Sequence, residues 1–258
     1  MSGTQDQYSR FDYRRMIAWP DRIRREWPFI EAVLKTAPAK RILELGSGTG
    51  EHARYLASKG FDVTGVDSSE SMIEKSLEAA EGGDSRFVQG DISSIGSLVS
   101  GDFGAAICLG NTLPHLRGWK EIASLADGLR SVLLPESPLI VQILNYDRII
   151  RRKERFLPLD FRPDPDGPDT IVYLRLMDPR DDGTVVFVPS TLRLNSASEE
   201  PLELIGSRRV ELHGWRRGEL EAILGERGFD AFEAFGSFDR APFDADESRD
   251  LILVARRA

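Results

Sequence analysis

The sequence has little of what several protein classes require. Cys108 is the one cysteine among 258 residues, so an internal disulfide and a cysteine-rich zinc site are both excluded. No stretch reaches the ~18 uncharged apolar residues of a membrane-spanning helix, and the polar first residues lack the apolar core of a signal peptide. These absences predict a cytoplasmic protein that uses neither a membrane nor a bound metal.

Positive charge is also in deficit. Lys and Arg number 34 against 42 Asp and Glu, which gives a net charge of −8. This balance argues against nucleic acid or an anionic membrane as the main partner. A local basic run follows residue 147: Arg148, Arg151, Arg152, Lys153 and Arg155. It has two interpretations, a solvated helix face or a lid that attracts an acidic substrate.

Strand-like and helix-like segments alternate from residue 41 to residue 144. Short apolar strands are predicted at 41–45, 61–67, 86–92, 103–111 and 139–144. Because strands that alternate with helices form parallel sheets covered on both faces, the pattern predicts a doubly wound, Rossmann-like α/β fold. Two further strands, at 229–238 and 249–255, have only a loop between them. One strand at the end of the sheet must therefore be antiparallel.

The alternation stops in the middle of the chain. A proline-rich stretch at 157–170 predicts an irregular loop. Three strands without helices are predicted after it, at 170–177, 184–194 and about 202–212. This pattern predicts a small antiparallel β-sheet, inserted after strand five.

Three regions follow from these patterns. An N-terminal helical cap is predicted over 1–40, with one helical piece at 8–15 and another that begins at Pro20 and is kinked or restarted by Pro28. The core is predicted over 41–146 and 213–258. The inserted β region, over 147–212, is predicted to contact substrate or act as a lid.

The most specific motif is Glu44-Leu45-Gly46-Ser47-Gly48-Thr49-Gly50, between a predicted strand and a helix. Glycines let the chain turn tightly and let a ligand approach the peptide groups. Asp67 ends the next strand, 21 positions after Gly46, which is the spacing at which an acidic residue meets the hydroxyl pair of a ribose. Asp91 ends the third strand and could accept a hydrogen bond from an adenine amino group. Together these residues predict a nucleoside site at the carboxyl edge of the sheet.

The identity of the nucleoside is indicated by charge. A dinucleotide site requires a third glycine where this chain has Glu51, and a carboxylate there repels a pyrophosphate. Glu44 adds a second negative charge beside the turn. An acidic lining suits a ligand with an amino group and no phosphate, such as S-adenosylmethionine, which carries an ammonium and a sulfonium.

These features resemble the class I S-adenosylmethionine-dependent methyltransferases, whose seven-stranded sheet ends in an antiparallel hairpin. The turn, Asp67, Gly90-Asp91-Ile92 and the closing strand pair carry the resemblance. The segments 108–116 and 144–147 are similar to those of glycine N-methyltransferase and related small-molecule N-methyltransferases. The resemblance implies in-line transfer of a methyl group from S-adenosyl-L-methionine to a small molecule, at an amine nitrogen in the first instance.

The motifs and the resemblance together give the candidate site residues. Those for the cofactor are Arg22, Glu44, Gly46, Ser47, Gly48, Gly50, Asp67, Ser68, Met72, Asp91, Ile92, Leu109, Gly110 and His115. Those for the acceptor are Asn111, Thr112, Asn145, Tyr146 and Arg175. His115 and Asn111 are the catalytic candidates, with His115 orienting the acceptor or taking a proton.

Alternatives remain at this point. His115 could simply pack beside the cofactor, Asn145 and Tyr146 could only terminate a strand, and Arg25 could replace Arg22 as the partner of the cofactor carboxylate. The alternative functions are O-methylation of a small molecule, a nicotinamide-dependent oxidoreductase, a noncatalytic nucleoside-binding regulator and RNA methylation. A homo-oligomer is left open.

Overall fold

The computed structural model describes residues 17–80 and 85–258. The predicted helical piece at 8–15 and a predicted helix stop at Gly82-Gly83 lie outside these residues. The described chain divides into two compact units. The first comprises the residues up to Asn145 together with Trp215–Ala258, and the second is Tyr146–Gly214.

The elements follow one another in this order. The first unit begins with α1 (Trp19–Leu34), β1 (Arg41–Leu45), α2 (Glu51–Ser58), β2 (Asp62–Asp67), α3 (Glu70–Ala79), β3 (Ser85–Gln89), α4 (Ile95–Leu98), β4 (Ala105–Cys108), α5 (Trp119–Val132) and β5 (Pro138–Leu144). The second unit holds α6 (Tyr146–Arg152), β6 (Asp160–Pro163), β7 (Thr170–Pro179), β8 (Thr184–Leu194), β9 (Leu202–Ser207) and β10 (Val210–His213). The first unit then resumes with α7 (Arg217–Glu226), β11 (Phe229–Phe235) and β12 (Asp250–Arg257). Within the described ranges, no helix is both long enough and apolar enough to cross a membrane.

The first unit is built on a seven-stranded sheet in the order β3-β2-β1-β4-β5-β12-β11. The pairs among β1 to β5 are parallel, whereas β12 is antiparallel to both β5 and β11. This topology confirms the predicted fold class. Because the five parallel strands end at one edge, the residues that follow them are gathered along that edge.

Helix α1 runs through Pro28 without the restart that was one of the two predicted outcomes. Proline inside a helix costs about 3 kcal/mol. The cost is offset by burial: Phe29, Ile30 and Leu34 lie in the core beside apolar residues of β1, β4, β5 and β12. Tertiary packing therefore decides the length of this helix.

Strand β4 is shorter than the predicted 103–111. Its end is set by the backbone, since Gly110 and Asn111 have φ values of 74° and 65°. Such left-handed residues cannot continue an extended strand. They turn the chain at the carboxyl edge of the sheet.

The second unit is a five-stranded antiparallel sheet in which β6, β7 and β8 are consecutive neighbours. The stretch 157–170 is not wholly irregular as predicted, because β6 forms within it and pairs with β7. The single strand predicted at 202–212 is two strands, β9 and β10, on the same edge of β8. Pro189 of β8 lies at the break, and its missing N–H removes a ladder hydrogen bond there.

The basic run lies on α6 and just after it. Arg148 Nε is 2.8 Å from Glu154 Oε1, and Arg155 Nη1 is 2.8 Å from Asp178 Oδ1. These ion pairs within the second unit favour the interpretation of a solvated, charge-paired surface over that of a basic lid.

Candidate functional site

The glycine-rich turn follows β1 at the carboxyl edge of the sheet. Its glycines, Gly46, Gly48 and Gly50, have φ values of 70°, 53° and 77°, a region that other residues enter only with strain. Two amide groups of the turn donate to the Val66 carbonyl oxygen of β2, at 2.7 and 3.0 Å. A Cβ atom on Gly46 would overlap the side chain of Thr112. The turn is therefore fixed to β2 and closely covered by the segment that follows β4.

The Asp67 carboxylate is held in a defined orientation at the end of β2. Oδ2 accepts the Gly48 N–H at 2.8 Å and Oδ1 accepts the Ser69 N–H at 2.9 Å. Each carboxylate oxygen can accept a further hydrogen bond. Ser69, rather than Ser68, caps α3, because its Oγ accepts the N–H of Met72 at 3.3 Å. Ser68 is exposed and Met72 is buried.

Asp91 lies beyond the end of β3, beside Asp67 on the parallel neighbour β2. Its carboxylate is exposed, and Oδ1 accepts the Ser93 N–H at 2.8 Å. The side chain of Ile92 is buried. The carboxylates of Asp67 and Asp91 therefore follow two neighbouring strands at the carboxyl edge of the sheet, as expected for a nucleoside site.

A buried ionic cluster lies next to the turn and was not predicted from the sequence. His52 of α2 has its Nε2 2.8 Å from Glu26 Oε2 and its Nδ1 3.5 Å from Glu44 Oε1. Because both ring nitrogens face carboxylate oxygens, only the imidazolium donates to both. Burial alone would lower the pKa of His52, but the hydrogen bonds to Glu26 and Glu44 outweigh it and raise that pKa.

Glu26 connects this cluster to Arg22. Arg22 Nε donates to Glu26 Oε1 at 2.8 Å. Burial would raise the pKa of Glu26, yet His52 and Arg22 together lower it. A Cβ atom on Gly110 would lie 3.3 Å from an Arg22 nitrogen, so α1 brings the guanidinium to the tip of β4. The sequence signal for this cluster was Glu26 on the buried face of α1, in line with Phe29 and Ile30.

The segment after β4 is fastened to β5. The Asn111 side-chain oxygen accepts the Leu144 N–H at 3.0 Å, and the Thr112 hydroxyl donates to the Leu109 carbonyl at 2.9 Å. Leu109 is buried, whereas His115, at the end of a short 3-10 turn, is exposed. Gly110, Asn111 and Thr112 therefore lie just beyond the end of β4, and His115 lies farther along the chain at the surface.

Asn145 has a different environment from the predicted acceptor contact. It is fully buried, and its Nδ2 lies 2.9–3.2 Å from the carbonyl oxygens of Asp244, Ala245 and Ser248. These contacts hold the loop between β11 and β12, which favours the structural alternative for this residue. Tyr146 and Arg175 belong to the second unit, where Arg175 Nη2 donates to the Pro158 carbonyl at 2.7 Å.

Two polar residues at this edge were missed by the sequence analysis. Gln142 of β5 accepts the Gly110 N–H with Oε1 at 2.8 Å and donates from Nε2 to Asp250 Oδ1 at 2.9 Å. Burial raises the pKa of Asp250 despite the opposing hydrogen bond from Gln142. The sequence signal for Gln142 was a single amide side chain in the otherwise apolar strand β5.

Sequence comparisons match part of the chain to methyltransferases. Residues 42–136 match a family model described as a methyltransferase domain. The chain is 36% identical over 137 residues to a glycine/sarcosine N-methyltransferase of Halorhodospira halochloris, covering 52% of this chain and 51% of that protein. It is 32% identical over 148 residues to the protein of that name from Parasynechococcus marenigrum, covering 57% and 52%. The chain spans about half the length of the curated relatives it matches.

Comparison with solved structures extends the similarity over most of the chain. The CcbJ methyltransferase from Streptomyces caelestis is 26% identical, with a TM-score of 0.69 over 90% of this chain and 93% of that one. CalS10, an amino pentose methyltransferase from Micromonospora echinaspora solved with S-adenosylmethionine bound, has a TM-score of 0.73 at 19% identity, over 95% and 93%. The second likeness concerns the fold alone.

Proposed function

We propose that the chain is a class I S-adenosylmethionine-dependent methyltransferase, as its motifs predicted, and that it methylates an amine nitrogen of a small molecule. The family match and the overall structural likeness support the cofactor and the reaction type. The names of the glycine/sarcosine N-methyltransferases support nitrogen as the acceptor atom.

The residues at the carboxyl edge fit S-adenosylmethionine. The Glu44 Oε2 and Ser47 Oγ atoms are buried, and neither has a hydrogen-bond partner among residues 17–80 and 85–258. An unpartnered buried polar atom costs about 1–3 kcal/mol, so a ligand that supplies hydrogen bonds at the turn is favoured. Such a ligand must tolerate negative charge, because Glu44 and Asp67 both line this position.

Each part of the cofactor has a candidate partner. Asp67 would accept hydrogen bonds from the ribose hydroxyls, and Asp91 from the adenine amino group. Arg22 would pair with the cofactor carboxylate, and Glu44 would favour its ammonium. Ser47 would add a hydroxyl at the turn, with Leu109 and Ile92 as apolar neighbours.

The observation that carries this proposal is the fixed Asp67 carboxylate at the end of β2, together with the buried Glu44 on the neighbouring strand β1. A pyrophosphate-binding site would instead need positive or neutral groups at the start of α2. Glu51 lies there, buried in the first helical turn, and accepts a hydrogen bond from the Thr49 hydroxyl. This charge disfavours a nicotinamide dinucleotide and supports a phosphate-free nucleoside.

The bound cofactor supplies a methyl group activated by a neighbouring sulfonium. The protein therefore needs chiefly to align the acceptor and to exclude water, and alignment can contribute about 7–11 kcal/mol. Asn111 and Thr112, at the tip of β4, are the proposed acceptor contacts in the first unit. His115 is proposed to orient the acceptor, and Arg175 to bind an acceptor carboxylate.

A labelled-methyl assay tests the proposed function. The protein is incubated with methyl-labelled S-adenosylmethionine and a panel of amino acids, N-methylamino acids and amino sugars, each with a matched hydroxyl compound that lacks the amine. We expect S-adenosylhomocysteine release together with label on nitrogen. Label on the hydroxyl compounds alone, or no transfer to any member of the panel, would contradict N-methylation.

A further inference from the structure

A carboxylate outside the sequence motifs lies at the carboxyl edge of the sheet. Asp250 is the first residue of β12 and pairs with Leu144, the last residue of β5. Because β12 is antiparallel to β5, its beginning lies where the parallel strands end. Asp250 therefore shares the edge with the tips of β1 and β4, on the far side from Asp67 and Asp91.

Gln142 fixes this carboxylate to the tip of β4. Its Nε2 donates to Asp250 Oδ1 at 2.9 Å, while its Oε1 accepts the Gly110 N–H at 2.8 Å. From the part of the chain that the structure describes, no hydrogen bond or ion pair reaches Asp250 Oδ2. One oxygen is thus held by the protein, and the other can accept a hydrogen from a ligand.

Charged groups of α1 act electrostatically on the Asp250 carboxylate. Burial raises the pKa of Asp250, and the negative charge of Glu26 adds to this effect. The hydrogen bond from Gln142 and the positive charges of Arg25 and Arg22 act in the opposite direction. A carboxylate whose pKa is raised is a better proton acceptor near neutral pH.

Other basic groups in the first unit are less suited to this task. Glu26 is already bonded to both Arg22 and His52. His52 is fully buried between two carboxylates. His115 is exposed, in a turn beyond the tip of β4.

We propose that Asp250 Oδ2 accepts the proton that the acceptor nitrogen must lose, and that Gln142 is a positioning residue for it. This inference rests on the proposed function. An amine acceptor in water is mostly an ammonium ion, which has no lone pair for attack. The N–H bond breaks with transfer of the proton to Oδ2, and the electron pair remains on nitrogen.

Methyl transfer to the deprotonated amine needs no reactant other than the cofactor. With S-adenosylmethionine bound, the nitrogen lone pair would form the new N–C bond and the electron pair of the C–S bond would remain on sulfur. The product is the methylated ammonium ion, and the proton on Asp250 is released to solvent. Gln142 keeps the Asp250 carboxylate at a fixed distance from the tip of β4 throughout.

The Asp250→Asn variant tests the inference in kinetics. Asparagine keeps an oxygen that can accept the Gln142 hydrogen bond but cannot take a proton. With an amine that the wild type methylates, we expect kcat/KM at neutral pH to fall about 100-fold and the acidic limb of its pH profile to move up to the pKa of the amine itself. Calorimetric affinity for S-adenosylhomocysteine should stay within about twofold. Asp230→Asn, on the exposed start of β11 at the opposite edge, is the matched control and should leave all three quantities unchanged.

The Gln142→Met variant tests positioning. It removes a hydrogen bond that lowers the pKa of Asp250, so the acidic limb should move to higher pH. An unmoved limb would show that Gln142 has only a structural role. A full rate and an intact acidic limb in Asp250→Asn, or a matching loss of S-adenosylhomocysteine binding, would overturn the role of Asp250 itself.

A titration independent of turnover separates this inference from the proposed function. In protein labelled with ¹³C at aspartate carboxyl groups, one resonance should vanish in Asp250→Asn. Its midpoint in the wild type should lie above the usual aspartate range and should fall when methylammonium is added as a cationic probe. A wild type that methylates no amine would contradict the proposed function. An ordinary midpoint that does not respond to methylammonium would contradict the inference.

Discussion

The carboxyl edge of the seven-stranded sheet has two halves that are organised differently. At the tips of β1, β2 and β3, backbone N–H groups orient a carboxylate, as Gly48 and Ser69 do for Asp67. At the tips of β4, β5 and β12, side chains join residues far apart in sequence, as Gln142 joins Gly110 to Asp250. The residues of the first half belong to short sequence motifs. Those of the second half are far apart in sequence and are brought together by strand pairing.

This difference matches the two tasks of the proposed reaction. A cofactor shared by a whole family can be held by a fixed turn and two carboxylates. Side chains that contact the acceptor can differ between relatives without disturbing the turn that holds the cofactor. Substitutions in the two halves should therefore have separable effects on cofactor binding and on transfer.

The largest effect is expected from Gly46→Ala in the cofactor half. Gly46 has a φ of 70°, and an added Cβ would overlap Thr112. Strain and overpacking together should cost about 4 kcal/mol of unfolding free energy and weaken S-adenosylhomocysteine binding more than about 100-fold.

Gly60→Ala is the matched control for that substitution. Gly60 has a φ of 85°, but a Cβ there would meet no atom within 4 Å. Its cost should be backbone strain alone, about 1–2 kcal/mol, with unchanged ligand affinity. Equal effects of the two alanines, measured by denaturant unfolding and calorimetry, would show that Thr112 does not cover the turn.

An intermediate effect is expected from His52→Gln, at the junction of α1 with the turn. The imidazolium is buried between Glu26 and Glu44, so its loss should cost about 3 kcal/mol at about pH 6. Because the folded-state pKa of His52 is raised, its stabilisation is fully present below the unfolded-state pKa and is lost as pH rises through the folded-state value.

The difference in unfolding free energy between wild type and His52→Gln should therefore shrink toward alkaline pH. Denaturant titrations at a series of pH values measure it directly. A difference that grows with pH would indicate that a neutral imidazole, rather than the imidazolium, is the stabilising form.

The smallest effect is expected from Asn145→Ala in the other half. Three loop carbonyl groups would lose the same donor, at a cost of about 2 kcal/mol, while cofactor affinity and KM for the acceptor should not change. Asn195→Ala, in an exposed turn of the second unit, should cost under about 1 kcal/mol. If Asn145→Ala raised the KM for the acceptor and left stability unchanged, the prediction that Asn145 contacts the acceptor would be supported instead.

Most of the fold was predictable because it depends on local patterns. The alternation of strands and helices gave the parallel sheet, and the helix-free loop between the last two strands gave the antiparallel one. Two expectations followed local signals that packing and pairing overrule. Helix α1 does not restart at Pro28, because its apolar face is buried. The single strand predicted at 202–212 is two strands, β9 and β10, which pair with β8 on either side of Pro189.

The candidate site was predictable only where its residues are contiguous. The turn and Asp67 follow a known spacing, and their positions agree with it. His52, Glu26 and Asp250 share no motif, since they meet only when α1, α2 and β12 pack together. Gln142 joins residues 32 positions before it and 108 positions after it, a relation that no local window contains.

The central claim is that a phosphate-free adenosyl ligand binds at the tips of β1, β2 and β3, and calorimetry with S-adenosylhomocysteine tests it most directly. Wild type should bind, and Asp67→Ala should bind about 100-fold more weakly. Asp62→Ala, at the other end of β2 where the carboxylate faces Arg86, should bind like wild type. Undiminished binding by a folded Asp67→Ala variant, or no binding by the wild type, would contradict the account.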